Sequence, residues 1–159
     1  MAVQGQQLAW VSFSATAMNG KQTLIPRHVC LLTYGMPSER NVSERLQGKP
    51  QTNQRAELTA VIRALELTKE DEKVRIYTDS RYSIDCSINW YKAWVRNGWK
   101  KPNGELVLNQ DLVKQIRALI DERDEAGLQT GFQWVKGHST NSGNVAADRL
   151  AVAGAKKQR

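Results

Sequence analysis

A layered α/β (α+β) domain, a mixed sheet flanked by helices, is predicted by three features of this chain. Two segments with strand periodicity come first, on either side of an Asn19-Gly20 turn. Long stretches with apolar residues at helical spacing come next, and short apolar runs at 74–78 and 129–135 fall among them. Strands first, then helices between later strands, give a sheet with both antiparallel and parallel pairs.

Residues 8–17 alternate, with Val11, Phe13, Ala15 and Ala17 on one side and Ser12, Ser14 and Thr16 on the other. Asn19-Gly20 suits a tight hairpin turn, and residues 28–34 form a second β-rich run ending at Gly35, so an antiparallel pair is expected. Residues 36–51 carry mixed charge, Gly48 and Pro50 and read as irregular. Thr52 or Asn53 then caps a helix to about Lys69, with Glu57, Val61, Ala64, Leu65 and Thr68 on one face.

The strand at 74–78 delivers Asp79 at its end, and Ser80 is free to cap the next helix. One or two helices are expected between Arg81 and Gly98, with a turn at Lys101-Pro102-Asn103-Gly104. Asn109 caps an amphipathic helix whose buried stripe is Leu112, Val113, Ile116, Leu119 and Ile120, and Gly127 stands just past its end. The strand at 129–135 carries Phe132 and Trp134; a loop and a last helix from Asn144 complete the chain.

The 159 residues fit one domain, 1–159, without internal repeats or a linker. A formal charge of +7 favours a polyanionic partner, although an anionic membrane or a ribosome would also suit it. Cys30 and Cys86 lack metal-ligand spacing and read as buried free thiols of a reducing compartment. No apolar run reaches membrane-spanning length and no secretory signal is evident, so an intracellular protein is expected, in nucleus, cytoplasm or mitochondrion.

Three acids stand in unlike settings: Glu57 on a helix, Asp79 at a strand end and Asp148 on the last helix. Singly, each has an ordinary reading, as a solvated residue, a helix cap and a surface partner of Arg149. Together they suit a metal site, because Glu57 and Asp79 have apolar neighbours among which an uncompensated carboxylate is costly. Oxygen ligands favour Mg²⁺ or Mn²⁺ over zinc, and two such ions about 4 Å apart would clamp a phosphodiester. Between Asn89 and Lys101, Lys92, Arg96, Lys100 and Lys101 are interleaved with Trp90, Tyr91, Trp94 and Trp99 and no acid. That stretch reads either as core tryptophans beneath a solvated face or as a stacking and electrostatic surface for a nucleic-acid backbone.

Four segments, Thr-Asn-Gln-Arg-Ala-Glu-Leu (52–58), Tyr-Thr-Asp-Ser-Arg-Tyr (77–82), the Trp-rich 89–101 and Gly-His-Ser…Gly-Asn-Val-Ala-Ala-Asp-Arg-Leu-Ala (137–151), together closely resemble the cellular type 1 ribonuclease H family. The resemblance runs from about Asn41 to Lys157. It implies a ribonuclease H-like mixed sheet flanked by helices, and cleavage of the RNA strand of an RNA/DNA hybrid with two Mg²⁺ ions, four carboxylates and a water nucleophile. Glu57, Asp79 and Asp148 match three of those carboxylates. The fourth, an Asp at the end of the first strand, has no counterpart: alignment puts Phe13 there, and no acid occurs before Glu39. Residues 1–40 thus diverge from the family, and a large loss of rate is expected. A catalytically inactive hybrid-binding or protein-interaction module of the same fold is the alternative.

The resemblance also assigns roles to other residues. His138, ten residues before Asp148, matches a loop histidine that aids proton transfer or product release. Asn144 is read from spacing instead: one turn before Asp148 on the same helical face, it can orient ligand or substrate, cap its helix, or do both. The basic stretch looks like the protrusion that grips the DNA strand, with Trp90, Trp94 and Trp99 divided between substrate and core. Thr52 and Asn109 match a DNA-phosphate pocket in which Pro50, beside Lys49, replaces an Arg. Asn53, Gln54 and Asn19 match groups that read the minor groove and its 2′-hydroxyls. Ser80 and Tyr82, in the same segment as Asp79, are assigned to the substrate side. The family's separate hybrid-binding module is not found in this sequence, and a monomer is expected.

Overall fold

The structure, a computed structural model, describes residues 6–14, 28–34, 42–48, 50, 52–68 and 72–136. Among the described residues, five strands form one sheet: β1 (Gln6–Ser14), β2 (His28–Tyr34), β3 (Val42–Arg45), β4 (Lys73–Thr78) and β5 (Thr130–Trp134), in the order β3-β2-β1-β4-β5. β1 pairs antiparallel with β2, and β2 antiparallel with β3, whereas β1–β4 and β4–β5 are parallel. The expected strand pair and mixed sheet are both present. The Asn19-Gly20 turn falls outside the described residues.

β3 is an addition to the sequence reading, which treats 36–51 as irregular. Its four residues, Val-Ser-Glu-Arg, contain one apolar side chain and no alternation. An edge strand needs neither, because only one of its sides is paired and polar residues suit the other.

α1 (Asn53–Leu67) begins where Thr52 Oγ1 accepts the Arg55 N–H at 3.2 Å. Its Ala56, Leu58, Ala60, Val61, Ile62, Ala64 and Leu65 are buried, and the helix packs on β1, β2 and α4. Ser80 caps α2 (Arg81–Ile84), accepting the Ser83 N–H at 3.1 Å. The chain continues through a π-helical stretch at Asp85–Trp90 into α3 (Tyr91–Arg96). α4 (Gln110–Glu125) buries Val113, Ile116 and Ile120. With Val74, Ile76 and Cys86, these side chains form one core cluster, against which Leu112, Leu119, Trp94, Trp99 and Phe132 pack while partly exposed.

One capping expectation fails. Asn109 precedes α4 but sits in the left-handed region, with φ +58°, and its side chain makes no cap hydrogen bond. The amide is engaged instead with Arg55 and Tyr82.

Candidate active site and nucleic-acid interface

β4 ends at Thr78, so Asp79 stands at the strand's C-terminal edge, a common position for functional groups in open α/β sheets. The peptide on its C-terminal side is held locally, since Ser80 N–H donates to Thr78 Oγ1 at 3.1 Å. α1 brings Glu57 to the same edge: the Ser80 hydroxyl donates to Glu57 Oε2 at 2.6 Å. Burial pushes the Glu57 carboxyl above its ordinary range, the Ser80 hydrogen bond opposes that shift, and the nearby charge of Asp79 adds to it. Two carboxyl groups from separate elements therefore share one partly enclosed place.

That arrangement fits a hard divalent cation. Carboxylate oxygens are acceptors only, and an added positive charge would relieve both the desolvation of Glu57 and its repulsion by Asp79. Among the described residues no cluster of three or more His, Cys, Asp or Glu can hold a metal. Asp148, His138 and Asn144 lie outside the described residues, as does Asn19.

β1 runs beside β4 toward the same edge. Val11 is the register partner of Thr78, so Phe13 lies two positions further along β1, level with the turn that carries Asp79 and Ser80. This is the strand end where the family resemblance calls for an Asp.

A second cluster joins the starts of α1 and α4. Arg55 makes a two-pronged pair with Asp111, at 3.0 and 2.6 Å, and donates to Asn109 Oδ1 at 3.3 Å. Asn109 Nδ2 in turn donates to the Tyr82 hydroxyl at 3.0 Å. Arg55 raises no motif-based expectation, and only its place within 52–58 points to it. Burial pushes the Tyr82 phenol up to about 12 despite the Asn109 donation. Its hydroxyl thus already serves Asn109. Thr52 caps α1 beside this cluster, and Asn53 and Gln54 are exposed on its first turn.

The Trp-rich segment has both core-packed and exposed rings. Tyr82, Trp90, Trp94 and Trp99 form a chain of ring contacts with centroids 6.2, 5.8 and 6.2 Å apart. Trp94 and Trp99 pack against the core, whereas Trp90 is 43% exposed. Lys92, Arg96 and Lys100 are exposed, while Lys101 pairs with Glu105 at 3.1 Å across a turn. Gly98 and Trp99 both take positive φ, at +61° and +60°, and swing this segment back toward Leu106. No helix among the described residues is long and apolar enough to cross a membrane.

A carboxylate pair at the end of a parallel strand, in a mixed sheet flanked by helices, defines an α/β domain with its candidate site at that strand end. Comparison with known proteins narrows the class: the RNase H family model matches residues 17–156, and the chain belongs to that family. Ribonuclease H of Schizosaccharomyces pombe is 40% identical over 137 residues, covering 86% of this chain and 48% of that protein. Ribonuclease H of Orientia tsutsugamushi is 45% identical and that of Rickettsia canadensis 43%, each over 103 residues and 65% of this chain, covering 58% and 63% of those proteins. The chain thus spans about half to somewhat under two thirds of the length of these relatives. The family match begins after β1, although β1 occupies the middle of the sheet.

Proposed function

We propose that this protein binds RNA/DNA hybrids and hydrolyses their RNA strand as a ribonuclease H, at a reduced rate. The observation that carries the reading is the meeting of Glu57 and Asp79 at the end of β4, joined through Ser80, in a chain of the RNase H family.

Glu57 and Asp79, with Asp148 as third carboxylate, would hold Mg²⁺ or Mn²⁺, two ions when the site is complete. Such ions, when bound, stabilise the charge that builds on a phosphodiester and make water a better nucleophile. The chain's own residues do the rest. Ser80 fixes Glu57 by hydrogen bonding, and His138 assists proton movement. Lys92, Arg96 and Lys100 neutralise phosphates, and Trp90 offers a ring for contact. Thr52 and Asn109, with Arg55 behind them, receive a phosphate of the DNA strand. Asn53 and Gln54, exposed on the first turn of α1, would read the groove, where the 2′-hydroxyl distinguishes RNA, and the motif match gives Asn19 the same role and Asn144 one in orienting ligand or substrate. Phe13 at the end of β1 cannot ligate a metal, and this favours a slow enzyme or a hybrid-binding module that does not cut.

The test is incubation of the purified protein with a labelled RNA/DNA hybrid and Mg²⁺ or Mn²⁺, beside Asp79→Asn and Phe13→Asp. Cleavage that Asp79→Asn abolishes and Phe13→Asp increases is the expected result. Tight binding without cleavage in any variant would establish the binding module instead, and absence of both would overturn the reading.

A further inference from the structure

Trp134 reaches the catalytic edge from β5, a strand to which the proposed mechanism gives no part. It is the last residue of that strand and the register partner of Thr78. Its indole Nε1–H donates to the backbone carbonyl of Asp79 at 3.1 Å. Beside that bond, the Val135 N–H donates to the Thr78 carbonyl at 3.0 Å. The Arg81 guanidinium lies over the indole ring, 4.3 Å from its centroid.

The carbonyl of Asp79 and the N–H of Ser80 belong to one peptide plane. Both ends of that plane are hydrogen-bonded, the carbonyl to Trp134 and the N–H to Thr78 Oγ1. A planar group held at two points cannot rotate freely, so ψ of Asp79 and φ of Ser80 are fixed together. Trp134 is 37% exposed, and a ring left so open to solvent gains less from burial than a core tryptophan. Its specific contribution is the directed N–H, and Arg81, two residues beyond Asp79, keeps the ring over the turn by a cation–π contact.

We propose that Trp134 is a positioning residue: its indole N–H, secured by Arg81, locks the Asp79–Ser80 peptide and so sets the direction in which Asp79 presents its carboxylate toward Glu57. This rests on the catalytic role proposed for Asp79.

Trp134→Phe keeps a ring for Arg81 and removes the N–H; Arg81→Gln does the reverse. In the full chain, removing one hydrogen bond that acts on alignment lowers kcat about fivefold for Trp134→Phe and about twofold for Arg81→Gln, with KM for the hybrid within twofold. Mn²⁺ affinity, read by titration without substrate, falls in the same order, and the thermal midpoint moves little. In the unsubstituted protein the Trp134 indole N–H exchanges with solvent at least about tenfold more slowly than a free indole, as read by NMR.

Unchanged kcat and Mn²⁺ affinity in a folded Trp134→Phe chain would overturn the proposal, as would an indole that exchanges at the free rate. If Trp134→Phe is too unstable to assay, Arg81→Gln and the exchange rate decide. If the unsubstituted chain neither cleaves hybrid nor binds Mn²⁺, the activity assignment falls, and indole protection alone then upholds or overturns the lock.

Discussion

Glu57 and Ser80 meet through a single oxygen: the Ser80 hydroxyl donates to Glu57 Oε2 at 2.6 Å while accepting the Ser83 N–H at 3.1 Å. One side chain thereby caps α2 and orients a carboxyl of α1. Ser80→Ala should remove both roles, at a cost of about 1–2 kcal/mol in urea unfolding. It should also drive the Glu57 carboxyl further upward, because the Ser80 hydrogen bond is what holds it down. Carboxyl titration by NMR checks the second effect separately from the first.

The Glu57 carboxyl has a pH signature of its own. Its folded-state pKa is raised by burial and by Asp79, so the folded state binds its proton more tightly than the unfolded chain does. The resulting instability is absent below the ordinary glutamate range, grows as pH rises through the raised value, and is complete above it. Glu57→Gln should therefore raise the thermal midpoint at pH 7 without divalent metal and leave it unchanged near pH 3. Added Mn²⁺ should narrow the difference, by stabilising the unsubstituted chain more than the variant, which lacks one of the three carboxylates.

Arg55 links the two helix starts that receive the DNA phosphate in the proposed complex. Arg55→Ala removes the two-pronged pair with Asp111 and the donation to Asn109, and should cost about 1–2 kcal/mol in chemical unfolding. Because Asn109 then loses one of its two anchors, hybrid affinity should fall as well. Asn109→Gly separates the effects: glycine accepts the positive φ without strain, so stability should change less than in Arg55→Ala while hybrid affinity still drops.

The exposed cations set a salt dependence. Replacing Lys92, Arg96 and Lys100 together with glutamine should weaken hybrid binding at low salt and flatten the slope of log K against log salt by roughly 0.7–0.9 for each phosphate no longer neutralised. Lys101→Gln should have a smaller effect, since Glu105 already engages that ammonium. Fluorescence anisotropy of a labelled hybrid across a salt series reads both.

The sequence made the central parts of this arrangement legible because local and global signals agree there. Alternation and a strand-to-helix switch mark β1, β2 and the Asp79 turn, and Ser80 caps α2 as expected. Thr52, one of two candidate caps, is the one that closes α1. The misses share a physical cause, namely long-range contact. β3 has almost no apolar pattern because it is an edge, and the left-handed Asn109 is held by Arg55, 54 residues away in the chain. Trp134 reads only as a strand residue, since nothing in its neighbours reveals a hydrogen bond to a carbonyl 55 positions earlier. Asp148 and His138 lie outside the described residues, so the motif alone supports their assignment.

β1 is the seam between the antiparallel and parallel halves of the sheet, bonded to β2 on one side and to β4 on the other. During synthesis its first partner comes directly after it, but its second comes only after α1 has been made. A growing chain therefore carries one open strand edge on β1 until Lys73–Thr78 has emerged, and for that interval it is exposed to mispairing. Closing that edge joins segments more than sixty residues apart, which makes the β1–β4 pairing a natural slow step in folding. The same closure brings the end of β1 alongside Asp79, so the candidate site takes shape only when the sheet does.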